Sequence, residues 1–236
     1  PFGATPVEKR AIQQAIKSAG ARSVGLLDEA MAAALGAHLP ILEPTGSMVV
    51  DIGGGTTEIA VIALGGIVNA TSIKTGGSHF DEAITQDIKK RLDLNIGAGT
   101  AEAIKIEIGS ARAPNEGECP RPMRIKGLGS KNGLPKAAHT TQADVSLAVR
   151  PLVDRIENSI RGVLERTPPD LMSDVSQGGI TLTGGGSLLH GLDVELSHRL
   201  KIDVRVAEQP KYCVAYGAAR AVHMGKKFVH AIEYDC

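Results

Sequence analysis

Apolar positions follow helical spacing at the start of the chain, strand spacing in the middle, and both in alternation towards the end. Val7, Ala11, Ile12, Ala15, Ile16 and Ala19 make one stripe and predict an amphipathic helix. Thr5, Pro6 and Glu8 supply its start: a hydroxyl cap, a first-turn proline and the glutamate of a capping box. Gly20 ends it. "SVGLLDEA" reads as a short strand running into a small-residue helix, "EAMAAALGA", and "LPILEPTGS" is a proline-containing connector. From Ser47 to Lys74 the pattern is β. Val49, Val50 and Ile52 form one apolar run, Ile59, Val61 and Ile62 another, and Gly65-Gly66 joins "IAVIAL" to "IVNATSI" as a two-residue hairpin. "GGSHFDEAITQDIKKRL" returns to helical spacing, with Ser78 as cap and Phe80, Ile84 and Ile88 on one face. Thr100 caps a further helix, "AEAIKIEIGSA".

Residues 112 to 140 are rich in Pro, Gly, Lys and Asn, with one strand expected near "PMRIKGL". A long helix follows, carrying Val145, Val149, Leu152, Val153, Ile156, Ile160, Val163 and Leu164. Pro151 inside it means either a later start or a kink, and Pro168-Pro169 stops it. Then come a strand "GITLT", a glycine loop, a helix "SLLHGLDVELSHRL", a strand "DVRV" and a small-residue helix "CVAYGAARAVHM". Strands alternating with helices predict an α/β fold.

The length of 236 residues allows one large domain or two small ones. A net charge of zero gives no electrostatic reason to expect nucleic acid as a partner. No apolar run reaches the roughly 20 residues that span a bilayer. "PFGATPVEKR" lacks the apolar stretch of a signal peptide. Cys119, Cys213 and Cys236 are scattered and odd in number, which fits a reducing cytosol better than a disulfide framework. The histidines show no metal spacing: His190 and His198 share a segment with no carboxylate or thiol placed beside them. The chain opens at Pro1, at what reads as the end of a strand, as a fragment would.

Two stretches carry the candidate chemistry, "MVVDIGGGTTEIAVI" and "ITLTGGGSLL". A glycine cluster after a strand lets backbone N–H groups approach a ligand with no Cβ in the way, and such groups attract anions. In the first stretch two strands would clasp a phosphate in a hairpin turn. In the second the apolar residues after the glycines can begin a helix. Asp51 beside the first loop would repel phosphate unless a cation intervenes, which implies Mg²⁺ held through water. The plain alternative is that each cluster is a tight turn. The similar surroundings of the two loops hint at an internal duplication.

The blocks "MVVDIGGGTTEIAVIALGGIV", "GGSHFDEAI", "AEAIKIEIGSA" and "LTGGGSLLHGL", in order and spacing, resemble the MreB family of bacterial actin homologues. "EKRAIQQAIKSAGARSVGLLDEAMAAALGA" resembles the segment before them. The resemblance implies an actin-like ATPase (ribonuclease H-like) fold, here the second lobe plus part of the first, closing on ATP and Mg²⁺. It places residues 1–43 in subdomain IA, 44–79 and 144–210 in IIA, 80–143 in IIB, and 211–236 as the closing helix of IA. It implies that Gly53, Gly54 and Gly55 lie at the β- and γ-phosphates and that Asp51 holds the metal's water shell. Glu102, Ala103, Ile104 and Lys105 would contact ribose and adenine. Gly184, Gly185, Gly186 and Ser187 would cradle the α-phosphate and nucleoside. Glu29 and Thr56 match the residues that orient the attacking water.

Simpler readings stand beside these roles. Glu29 can be an acid favoured by a helix N-terminus, Lys105 a solvated helix charge, and Thr57 and Glu58 strand residues facing solvent. Ala30 stands where the family commonly has proline, and the family's opening phosphate hairpin, of the type Asp-Leu-Gly-Thr, has no counterpart here. The resemblance implies a cytoplasmic cell-shape protein at the inner face of the membrane. It would polymerise with itself, reach the membrane surface through the family's N-terminal part, and work with a RodZ-type adaptor and wall-elongation proteins, with no nucleic acid partner. A chaperone- or sugar-kinase-like ATPase of the same superfamily and a nucleotide-blind scaffold are the competing readings.

Overall fold

A computed structural model describes residues 1–114, 122–224 and 232–234. Cys119 and Cys236 lie outside the described residues. The first helix, α1 (Pro6–Ser18), begins with the expected capping box: Glu8 N donates to Thr5 Oγ1, and Thr5 N and Oγ1 donate to the Glu8 carboxylate. Its apolar stripe is nonetheless open. No residue of α1 is buried, and Val7 is 78% exposed.

The sheet that organises the rest has the order β4-β3-β2-β8-β9. It comprises β2 (Ser47–Ile52), β3 (Thr57–Ala63), β4 (Gly66–Ile73), β8 (Ile180–Thr183) and β9 (Val204–Val206). The β4-β3-β2 ladder is antiparallel, whereas β2-β8 and β8-β9 are parallel. Every residue of β2 and β3 is buried, as in a sheet covered on both faces. Strand alternation divides the side chains between two cores. Met48, Val50, Ile52, Ile59, Val61, Ile180 and Leu182 share a core with α3 (Gly77–Leu92), α4 (Ala98–Ile108), α5 (Gln142–Glu165) and α7 (Leu192–Leu200). On the opposite face Val49, Ala60 and Ile62 pack with α2 (Glu29–Gly36) and with Ala221 of α8 (Cys213–Met224). A two-stranded sheet joins β1 (Gly25–Leu27) to β10 (Ile232–Tyr234). A three-stranded sheet contains β5 (Leu94–Asn95), β6 (Pro122–Gly129) and β7 (Pro135–Thr141).

Several local readings shift. The β3-β4 turn is centred on Leu64 and Gly65, both left-handed at φ 52° and 74°, one residue before the expected Gly65-Gly66 pair. Gly76 caps α3, so Ser78 lies inside the first turn; Gly97 caps α4, and Thr100 lies within it. Where one strand was expected near residue 125, β6 and β7 form a hairpin. The helix α5 is continuous through Pro151, which is exposed, so water can satisfy the carbonyl that loses its N–H partner. Pro168-Pro169 does end α5, but Pro169 also starts α6 (Pro169–Gly178), a helix absent from the sequence reading. The segment after the second glycine loop is not one helix. A 3₁₀ turn over Gly185–Leu188 is followed by left-handed Gly191 and then α7.

The helices α2 and α8 touch through their backbones. A Cβ on Gly36 would collide with the carbonyl of Cys213, and one on Gly217 with the carbonyl of Ala32. Gly162 in α5 has open space instead. Gly217→Ala should therefore destabilise the chain by about 1–3 kcal/mol through overpacking, while Gly162→Ala should stabilise it by about 0.5–1 kcal/mol. Urea denaturation midpoints of the two variants should move in opposite directions; equal shifts would show that the crossing has slack.

Candidate functional site

The site starts from the parallel pairing of β2 with β8, in which Asp51 stands opposite Thr183. Both strands end at the same level, and a glycine loop leaves each. The first loop is fixed from below: Gly53 N donates to the carbonyl of Thr56 at 2.9 Å, while Gly77 N and Ser78 N donate to the carbonyls of Gly53 and Gly54 at 2.9 and 2.8 Å. Gly76 is required by this contact, since its Cβ would lie 2.6 Å from the Gly53 carbonyl. The second loop is fixed from the side. Gly184, at φ 78°, donates to the Pro210 carbonyl at 2.9 Å, and a Cβ on Gly184 or Gly186 would strike Ile52. Gly55 has no neighbour within 4 Å of a built Cβ, and Gly185 meets only Lys211 Cγ at 3.9 Å. Gly184 and Gly186 thus serve packing, whereas Gly55 and Gly185 leave the backbone open to approach.

A cleft of about 310 Å³ lies between the loops, the start of α3 and one face of α4. That volume is at the small end of the ~300–1,000 Å³ usual for ligand sites. Of the residues singled out in the sequence, Gly53, Gly54, Glu102, Lys105, Gly185 and Gly186 line it. Gly55 and Thr56 do not, although they belong to the same loop. The continuous stretch from Glu102 to Lys105 is corrected by helix geometry. Glu102, Lys105 and Ile106 share one face, while Ile104 is 0% exposed in the core and Ala103 is exposed away from the lining. Gly184 and Ser187 hold the loop rather than line the cleft: Ser187 is buried and its Oγ donates to the Gly184 carbonyl at 2.7 Å. The sequence reading missed Asp81, Ile106, Leu188 and Lys211, all of which line the cleft. Asp81 and Ile106 were reachable from helical spacing, Asp81 beside Phe80 and Ile106 four residues after Glu102.

On the α2 side of the sheet lies a group of acids. Asp51 and Glu58 are cross-strand partners and both are buried. Asp51 Oδ1 accepts from Thr183 Oγ1 at 2.6 Å, and Glu58 accepts from Ser72 Oγ at 2.6 Å and from Phe2 N at 3.0 Å. Thr57 is buried too, with its hydroxyl donated to the Thr75 carbonyl at 2.7 Å. The solvent-facing reading of Thr57 and Glu58 is therefore wrong, because the α2 and α3 sides of β3 are both covered. Glu29 is the first residue of α2, where the helix dipole favours an acid. Burial pushes the Asp51 carboxyl up to about 6; the Thr183 hydrogen bond opposes this, and the charges of Glu29 and Glu58 add to it. Among the described residues no three acid, thiol or imidazole groups converge to hold a metal directly. A buried carboxylate with one hydrogen bond and like charges nearby suits a hydrated cation, which would relieve the repulsion.

A family model described as MreB/Mbl protein matches residues 1–230. The chain is 46% identical over 224 residues to the cell shape-determining protein MreB of Escherichia coli strain K12, covering 95% of this chain and 64% of the relative. It therefore spans about 64% of the length of that curated relative. Crystal structures of MreB 5 of Spiroplasma citri bound to AMPPNP and to ADP superpose with TM-scores of 0.91 and 0.90, at 35% identity, covering 97% of this chain and 68% of theirs. A MamK double helical filament superposes with a TM-score of 0.77 at 24% identity, covering 94% of this chain and 66% of that one, a likeness of fold. The fold is that of the actin-like ATPases.

A carboxyl raised in the folded state makes stability fall as pH rises from the unfolded value near 4 towards 6. Over that window the folded chain binds the extra proton. The loss from Asp51 is about 3 kcal/mol. Asp51→Asn should remove it, so the difference in urea stability between wild type and variant should grow in the variant's favour from pH 4 to pH 6.5. A difference that stays flat with pH would show that Asp51 ionises as it does in the unfolded chain.

Proposed function

The chain belongs to the MreB/Mbl family, and from that premise we propose that it is the nucleotide-binding part of a cell-shape-determining cytoskeletal protein. In this reading the protein binds and hydrolyses ATP with Mg²⁺ and polymerises into membrane-associated filaments that guide cell-wall synthesis. The observation that carries it is the cleft between two abreast glycine loops, lined by Gly53, Gly54 and Gly185, with Glu102, Lys105 and Ile106 facing it from α4. Its setting is the cytoplasmic face of the inner membrane, with a RodZ-type adaptor and wall-elongation proteins as partners. Among the described residues no helix is long and apolar enough to cross a membrane.

The residues divide the work as follows. Backbone N–H groups of Gly54 and Gly55 hold the β- and γ-phosphates in a turn that Gly53 closes through its bond to Thr56, and those of Gly185, Gly186 and Ser187 hold the α-phosphate in a loop that Gly184 anchors to Pro210. Glu102, Lys105 and Ile106 bind the nucleoside. Asp51 holds the water shell of Mg²⁺, which when bound neutralises charge on the phosphates. Glu29 and Thr56 orient the attacking water. Phosphoryl transfer relies on positioning and charge neutralisation more than on a strong base, which suits an acid and a hydroxyl carried on separate elements. The subdomain division is IA for residues 1–43 and 211–236, IIA for 44–79 and 144–210, and IIB for 80–143. The separate β5-β6-β7 sheet supports IIB as a unit.

Calorimetric titration tests the reading. ATP should bind saturably, and Gly185→Val, which fills the open approach, should weaken binding by about tenfold or more, or 1.4 kcal/mol, without lowering the denaturation midpoint. No binding by wild type would favour a nucleotide-blind scaffold. In a form matching the relatives' length, ATP-dependent pelleting is expected. There Glu29→Ala and Thr56→Ala should each slow hydrolysis by about 10²-fold with little change in affinity; normal turnover would make either residue structural.

A further inference from the structure

A run of three glycines leaves its own peptide planes undecided. The plane between Gly53 and Gly54, and that between Gly54 and Gly55, turn on torsions that belong to glycine at both ends, with no Cβ to resist a flip. A trans plane points its C=O and its N–H to opposite sides. The loop can therefore offer a ligand either two carbonyls, which repel an oxyanion, or two N–H groups, which attract one. The start of α3 decides between them. Gly77 N donates to the Gly53 carbonyl at 2.9 Å, and Ser78 N donates to the Gly54 carbonyl at 2.8 Å. With both carbonyls drawn to α3, the N–H groups of the same two planes, those of Gly54 and Gly55, turn away from it. Among the described residues neither meets an acceptor, and both glycines are exposed. Gly53 N is spent in closing the turn on Thr56.

The first N–H groups of a helix have no intrahelical partner and by themselves attract an anion. In α3 the first two are used on the loop instead. Their close approach is built in. A Cβ on Gly76 would stand 2.6 Å from the Gly53 carbonyl oxygen and 2.7 Å from that of Gly54. Thr57 Oγ1 donates to the Thr75 carbonyl at 2.7 Å, tying the residues ahead of α3 to the strand that leaves the loop. We infer that Gly77 and Ser78 are positioning residues for phosphate: their N–H groups hold the first glycine loop in the orientation that presents the Gly54 and Gly55 N–H groups to an oxyanion. The inference rests on the nucleotide-binding reading above and deepens it. The N-terminus of α3 then sets the loop that contacts the ligand, rather than contacting the ligand itself.

The test compares two substitutions at Gly77 in the 236-residue chain. Gly77→Pro removes one of the two donors and sets a ring carbon in its place, so the Gly53 carbonyl must turn away. Proline suits this first helical position, and the residue before it, Gly76, is already extended at φ −168° and ψ −167°. Gly77→Ala keeps the N–H, and its Cβ meets only ordinary contacts at 3.7 Å, to the Gly53 carbonyl oxygen and Lys105 Nζ. Calorimetric dissociation constants are read for ATP and for adenosine, which has no phosphate. Relative to Gly77→Ala, Gly77→Pro should weaken ATP by about tenfold, equivalent to 1.4 kcal/mol, and leave adenosine within about twofold. If both ligands weaken alike, or neither does, α3 is only a brace and the inference fails. Amide NMR of wild type answers the same question if Gly77→Pro does not fold. Tripolyphosphate should shift the Gly54 and Gly55 amide resonances most, while the Gly77 and Ser78 N–H groups stay protected from hydrogen exchange. Largest shifts at Gly77 and Ser78 would make α3 itself the phosphate site, overturning the inference while nucleotide binding stands. A wild type that binds neither ATP nor tripolyphosphate overturns the nucleotide reading, and this inference with it.

Discussion

The parallel pairing of β2 with β8 is the contact on which the site depends. Antiparallel neighbours would send their following loops to opposite ends of the sheet. Parallel neighbours in the register Asp51 to Thr183 end together, and two glycine loops emerge abreast. Their closeness has a cost in sequence freedom. Gly184 and Gly186 press on Ile52, the last residue of the neighbouring strand, and Gly76 presses on the first loop from the start of α3. Once those three positions are taken up by packing, the remaining glycines can face a ligand.

Burial does different work on the two sides of this sheet. On the α3 and α5 side the core is apolar and extends from Phe80 through Ile160 to Leu196. On the α2 side the apolar residues give way, towards the loop end of β2, to Asp51, Glu58 and Thr183. An acid raised to about 6 by burial and by like charges is poorly suited to an empty site and well suited to a cation. The sheet thus separates a stabilising face from a face whose buried charges cost stability. That division is in keeping with a fold shared with nucleotide-bound MreB 5 of Spiroplasma citri.

Much of the fold was legible because β2, β3 and α5 announce themselves by period. The capping boxes at Thr5 and Thr141 show how local chemistry sets a boundary, although only the first was read in advance. The misses have physical causes. β7, "PKAAHTT", has little apolar alternation because most of its residues are exposed, so it gave no strand signal. Pro169 was read as a stop, yet proline at a first helical position is also a start. Ser78 and Thr100 have capping side chains but stand inside helices that begin at Gly76 and Gly97, where the chain's path chose the boundary. In the site, the glycine loops were found because their composition is unusual. The α4 contact was blurred because a family stretch was carried over as four consecutive residues, whereas a helix offers one face. Lys211 carries no composition signal; only the folded chain brings it to the cleft.

Where α2 crosses α8, backbone meets backbone at Gly36 and Gly217. Glycine alone lacks a Cβ, so every missense change in either codon adds atoms where there is no room. A crossing made by leucines could drift through isoleucine, methionine or valine while the helices settled. This one has no neighbouring amino acid to drift through. Compensation would have to come from moving a whole helix, with Glu29 at the head of α2 and the Pro210 carbonyl that holds Gly184 just ahead of α8 carried along with it. Two codons remote from the cleft are thereby tied to its geometry.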